Sequence, residues 1–150
     1  MLHKEYWQFK QSWLDYVIRS WQGLGRVEEI NQDTTESLEF RERAGIAFKA
    51  QGIEFNRVKA YLSTQIPKQG DGYDDQYPHV HAPDYATTIV HYLQPGDVPA
   101  PLDVFLDGKV IESITPEQGL TVFIPNNVWH GVRKNQGTTN RIQLIATALR

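Results

Sequence analysis

The stretch LDVFLDGKVIESITPEQGLTVFIPNNVWHGV, residues 102–132, holds the signals that decide the fold. Two short apolar runs, Leu102 to Leu106 and Lys109 to Ile114, flank Asp107-Gly108. That dipeptide suits a type I′ hairpin turn, because both central positions of the turn need positive φ. Pro116-Glu-Gln-Gly119 marks the next turn, a third run follows at 120–124, and Asn126-Asn127 turns the chain again before His130. Working outward, ATTIVHYL (86–93) and RIQLIATAL (141–149) have the same character, with Gly137-Thr-Thr-Asn140 as a turn between 132 and 141. Further upstream, Val58, Ala60 and Leu62 alternate with Lys59, Tyr61 and Ser63, the period of a half-buried strand. Six or more short strands joined by regular turns predict a mainly β sandwich or jelly roll.

Before residue 53 the period changes. Trp7, Lys10, Trp13, Leu14, Val17, Ile18 and Trp21 follow a three-to-four spacing, with Lys10 the charged exception, and Gly23 and Gly25 end the pattern. A second helix is expected from Asp33-Thr-Thr-Glu36, where Asp33 and Glu36 have capping-box spacing, through Leu38, Arg41 and Ala44 to Phe48. Gly45 interrupts it. A 50-residue helical pair would bury little surface alone, so 1–150 is expected to be one domain. Residues 1–52 form its helical N-terminal part, packed on one face of a jelly-roll core over 53–150.

The composition narrows the chemistry. With five His and no Cys among 150 residues, thiolate metal sites, disulfides and thiol catalysis are excluded, and any metal must be held by His, Asp or Glu. Fifteen Lys+Arg against 18 Asp+Glu, a net charge of −3, leave no broad basic surface for a phosphate backbone, so no nucleic-acid partner is expected. The N-terminal residues lack the apolar core of a signal peptide, and no run is long and apolar enough for a membrane span. A cytoplasmic protein without a membrane partner is the expectation. The first helix with its three Trp offers a surface for a homo-oligomer.

Tyr77-Pro-His-Val-His-Ala-Pro-Asp84 carries the candidate chemistry. His79 and His81, two apart, project from the same face of an extended strand and can share one ion. His130 lies at the end of a strand that a jelly roll folds back opposite that pair. Three neutral imidazoles suit Fe(II), Mn, Ni, Cu or Zn and leave coordination positions open. The plain alternative is a pair of unrelated surface histidines in a Pro-bounded loop. Alternation in RIQLIATAL puts Arg141, Gln143, Ile145 and Thr147 on one face and Ile142, Leu144, Ala146 and Ala148 on the other. Arg141 is therefore either a carboxylate-holding guanidinium in a cavity or a solvated strand end. Arg133 is the competing clamp. Trp129 either walls a metal pocket or fills the core, and His91 faces away from Tyr92. The Gly- and Asp-rich loop 69–76 is either a lid or a solvated loop.

PHVHAPD, TTIVHYL, residues 102–132 and RIQLIATAL together resemble the double-stranded β-helix of the 2-oxoglutarate/Fe(II)-dependent dioxygenases. The likeness is to the prolyl-hydroxylase-like branch and to small phage-type members, from about residue 58 to the end. The resemblance implies Fe(II) and 2-oxoglutarate as cofactors and His79, His81 and His130 as metal ligands. It further implies Arg141 as the clamp on the distal carboxylate of the small-molecule cosubstrate, with Tyr92 and Tyr61 facing it. Hydroxylation of an unidentified protein side chain or small molecule would follow.

Two positions depart from the family pattern. His81 stands where the family has Asp, so a site of two His and one carboxylate becomes three His, with one negative charge fewer on the metal. Asp84 is the alternative carboxylate. Gln143 stands two residues after Arg141, where Ser or Thr is common. Gly119 to His130 is also similar to the second cupin motif, and a three-His site suits a cupin-type dioxygenase or isomerase, although the Glu of the first cupin motif is missing near 85–87. A non-catalytic jelly-roll binding or assembly module is the remaining reading.

Overall fold

The structure is a computed structural model that describes residues 1–21, 27–29, 34–74 and 78–150, without the side chains of 17, 18, 20, 21 and 27–29. Along the chain lie β1 (Lys4–Tyr6), α1 (Gln11–Trp21), β2 (Val27–Glu29), α2 (Thr35–Ala50), β3 (Arg57–Gln65), β4 (Tyr85–Gln94), β5 (Leu102–Leu106), β6 (Lys109–Ile114), β7 (Leu120–Pro125), β8 (Trp129–Val132) and β9 (Arg141–Leu149). The strands form a larger sheet in the order β1-β7-β4-β9-β3-β2 and a smaller one in the order β6-β5-β8, every pair antiparallel. The expected jelly roll is the fold found. Asp107 at φ 51° and Gly108 at φ 76° make the anticipated hairpin turn between β5 and β6.

The two faces of the larger sheet have different partners, as the alternation dictates. Ala60, Leu62, Ile89, Leu93, Phe123, Ile142, Leu144, Ala146 and Ala148 pack against Trp13 and Leu14 of α1 and Phe40, Ala44, Ala47 and Phe48 of α2. The helices thus brace one face, as expected. On the other face Val90, Leu120, Val122 and Ile124 meet Leu102, Val104 and Ile114 of the smaller sheet. The inner faces of β3 and β9 contribute instead to a cavity of ≈ 890 Å³.

The N-terminal third corrects three expectations. The residues before Gln11 are not helical: β1 pairs with β7, Lys4 opposite Val122, and extends the sheet by an edge strand. Trp7 is buried because its N–H bonds Gly119 O at 2.9 Å, outside any helix. Lys10 breaks the apolar pattern because helix α1 begins after it, with Lys10 O accepting from Trp13 and Leu14 N–H. The cap of α2 is Thr34, whose side-chain oxygen accepts from Ser37 N–H at 3.2 Å. Asp33, Gly23 and Gly25, to which capping and helix-ending roles are assigned above, lie outside the described residues. Among the described residues no helix is long and apolar enough to cross a membrane.

Candidate metal centre

Between β3 and β4 the chain runs alongside β8 and the segment after it. Lys68 N–H bonds Asn135 O (2.7 Å), Lys134 N–H bonds Gly72 O (3.0 Å), and Asp74 N–H bonds Val132 O (2.8 Å). The described part of loop 69–76 is therefore pinned as an irregular strand on the smaller sheet, contrary to a freely closing lid. The pairing ends with His79 opposite His130, each backbone N–H bonding the other's carbonyl at 2.9 and 3.0 Å. Two residues on, His81 N–H bonds Asn126 O at 3.1 Å.

This register brings the three expected histidines together. Their ring centroids are 4.5 Å (His79–His130), 4.6 Å (His81–His130) and 5.4 Å (His79–His81) apart. One nitrogen from each lies within 4.8 Å of the others, close enough for one ion to gather all three with side-chain rotation. His130 Nδ1 lies 2.9 Å from Val128 O and donates its proton to that carbonyl, so Nε2 carries the lone pair. His81 Nδ1 is buried without a hydrogen-bond partner. Burial pushes the pKa of both His81 and His130 down to about 4, and neighbouring imidazoles add to it, while the Val128 carbonyl opposes it at His130. Neutral nitrogen lone pairs and an orphaned buried ring atom are what a divalent ion of borderline softness would satisfy. The residues fit a metal.

The cavity is lined by these histidines together with Tyr61, Tyr92 and Gln143. Tyr92 is buried and its pKa is pushed up to about 12, opposed by Arg141, so its hydroxyl keeps its proton. Arg141 sits two residues before Gln143 on the same face of β9, 1% exposed. Its guanidinium donates through Nη1 to Ala100 O (2.7 Å), through Nη2 to Arg133 O (3.1 Å) and through Nε to the side-chain oxygen of Gln65. Gln65 lies opposite Arg141 in the β3–β9 register and also lines the cavity. The Gln143 side-chain nitrogen is buried and has no partner. A guanidinium and an unpaired amide donor on one face fit an acceptor-only group such as a carboxylate.

Other candidates fall elsewhere. Asp84 is exposed in the turn closed by Tyr85 N–H on Ala82 O, and the three-His group does not include it. That turn separates it from His81. Arg133 is half-exposed and its Nε bonds the buried Asp103 carboxylate at 2.8 Å, so it is not placed as a clamp. Trp129 neither walls the pocket nor fills the core: at 52% exposed it points outward, because its neighbour His130 points in. His91 faces the helices, bonded to Thr121 and stacked on Trp7, as alternation requires. Gln65 and the Val128 carbonyl carry no local sequence signal, since both act through register.

No protein-family model matches the sequence, and no curated protein matches it. Solved structures do. A prolyl-4-hydroxylase from Pseudomonas putida superposes with a TM-score of 0.67 at 12% identity, over 99% of this chain and 92% of that one. The fold is that of the prolyl hydroxylases. A viral collagen prolyl hydroxylase from Paramecium bursaria Chlorella virus-1 gives 0.65 at 13% identity, over 99% and 90%. A 2OG-Fe(II) oxygenase family oxidoreductase from Burkholderia pseudomallei gives 0.55 at 14%, over 83% and 61%. At such identities the likeness establishes architecture alone.

Proposed function

We propose that the chain is an Fe(II)- and 2-oxoglutarate-dependent oxygenase acting on a protein side chain or a small molecule. One observation carries the reading: a three-imidazole cluster opens on a cavity that also holds Tyr92 and Gln143, with Arg141 next along the same strand face, in the architecture of the prolyl hydroxylases. His79, His81 and His130 would hold the metal, which would supply redox activation of oxygen, with 2-oxoglutarate giving two of the four electrons as it is oxidised to succinate and carbon dioxide and the hydroxylated substrate giving the other two. The Val128 carbonyl holds the His130 Nδ1 proton, which leaves Nε2 as the nitrogen that would bind the metal. Arg141 provides the buried positive charge for the distal carboxylate, and protonated Tyr92 adds no competing negative charge. Among the described residues no carboxylate joins the histidine group, which favours a cupin-type metal protein as the second reading.

Anaerobic addition of Fe(II) and 2-oxoglutarate to the purified chain separates these readings. A visible charge-transfer band weakened by Arg141→Ala is expected. A tightly held metal without that band would favour the cupin-type reading, and no metal under any condition would favour a binding module.

A further inference from the structure

The carboxylate subsite differs from a simple open guanidinium. Arg141 Nε is occupied by the Gln65 side-chain oxygen, while Gln143, two residue pairs along the register and 3% exposed, keeps a side-chain nitrogen with no acceptor. One donor is held by a neutral acceptor, and the next side chain along the same strand face is left waiting for one. The Gln65 backbone is fixed independently, because Asn135 Nδ2 donates to Gln65 O at 2.9 Å, so its carboxamide can move without the strand moving. Asp74, the acidic residue lining the same cavity, is paired with Lys68 at 2.5 Å. Its carboxylate also acts electrostatically on Arg141, so the subsite combines one buried cation with a nearby anion.

Resting on the oxygenase reading, we propose that Gln65 is a gate that sets specificity at this subsite. In the free protein its carboxamide occupies Arg141 Nε. A ligand with a distal carboxylate enters by displacing it, and Arg141 Nε and the Gln143 amide then share the carboxylate. An anion replaces a neutral acceptor at a buried cation, which is favourable because charge-assisted hydrogen bonds are stronger than neutral ones. Breaking the resident bond lowers the net affinity. A 2-oxo acid without a distal carboxylate leaves the gate closed.

The test titrates the full Fe(II)-loaded chain, anaerobically, with 2-oxoglutarate and separately with pyruvate, reading the dissociation constant from the charge-transfer absorbance. Gln65→Ala is expected to tighten 2-oxoglutarate about tenfold, by removing a hydrogen bond to a charged group that the ligand must otherwise break, and to leave pyruvate unchanged. Gln65→Glu places a resident carboxylate on Arg141 and is expected to weaken 2-oxoglutarate at least about tenfold. Gln143→Ala weakens 2-oxoglutarate and spares pyruvate. Opposite shifts from two variants of one residue cannot come from misfolding. If the wild-type chain binds 2-oxoglutarate but both Gln65 variants leave it unchanged, or shift both acids alike, the gate is wrong and the oxygenase reading stands. A wild-type chain that gives no band with 2-oxoglutarate overturns that reading and the gate together.

Discussion

His79 and His130 face each other across an antiparallel bridge in which each residue's N–H bonds the other's carbonyl, at 2.9 and 3.0 Å. Two of the three imidazoles are therefore joined through their backbones before any ion arrives. His81 follows two residues later, tethered to Asn126. A site held this way loses little backbone freedom on binding, and the chain's metal chemistry depends on how closely Tyr73, Pro78 and His79 lie on β8.

That closeness depends on Gly131. A Cβ there would meet the Tyr73 ring at 3.0 Å and Pro78 at 3.1 Å, so Gly131→Ala must push away the segment that carries His79. Divalent-metal affinity is expected to fall about tenfold, alongside a stability loss of about 1–3 kcal/mol from overpacking. Calorimetric titration with Mn(II) and urea unfolding measure the two effects.

Replacing His81 tests the ligand set. His81→Ala is expected to weaken Fe(II) binding at least about a hundredfold. His81→Asp puts an anionic ligand in the same place and should hold Fe(II) as tightly as the native chain or more so. Unchanged Fe(II) affinity in His81→Ala would show that His81 is not a ligand.

Asp103 is fully buried, and its carboxylate accepts from Tyr73 Oη (2.7 Å), Ser113 Oγ (2.6 Å) and Arg133 Nε (2.8 Å). It ties the segment over β8 to β5 and β6. Asp103→Ala orphans Tyr73 and Ser113, whereas the half-exposed Arg133 recovers water. A loss of about 2–3 kcal/mol is expected in urea unfolding.

His91 contributes to the acid limb of stability. Burial holds its pKa down to about 3 from the ordinary histidine value of 6.5, assisted by Arg43, with Trp7, Phe9 and Phe40 around the ring. The unfolded chain takes up a proton near pH 6.5 that the folded chain refuses until about pH 3. Its contribution is thus complete above pH 6.5 and is lost as pH falls through that window, by about 1.4 kcal/mol per pH unit. His91→Phe should remove roughly one proton's worth of slope from stability against pH between 6 and 4, and leave metal stoichiometry unchanged.

Gly45 lies inside α2, where an added Cβ would make ordinary contact with Phe55 (3.6 Å) and Val58 (3.9 Å). Gly45→Ala is expected to stabilise the fold by about 0.5–1 kcal/mol, since helix entropy is recovered without a clash. Thermal unfolding reads it directly.

The sequence by itself determined the strands at 102–106, 109–114 and 141–149, the Asp107-Gly108 turn, the opposite facing of His91 and Tyr92, and the candidacy of His79, His81 and His130. Alternation and turn chemistry are local, so neighbouring residues carry them in full. Only the tertiary structure decided that β1 and β2 exist, three residues each and too short for a period to register. It alone put His79 opposite His130, Asp84 outside the histidine group, Trp129 at the surface and Gln65 on Arg141. Those relations are set by which strands pair and in what register. Register is a property of two distant segments at once, and so is written in neither alone.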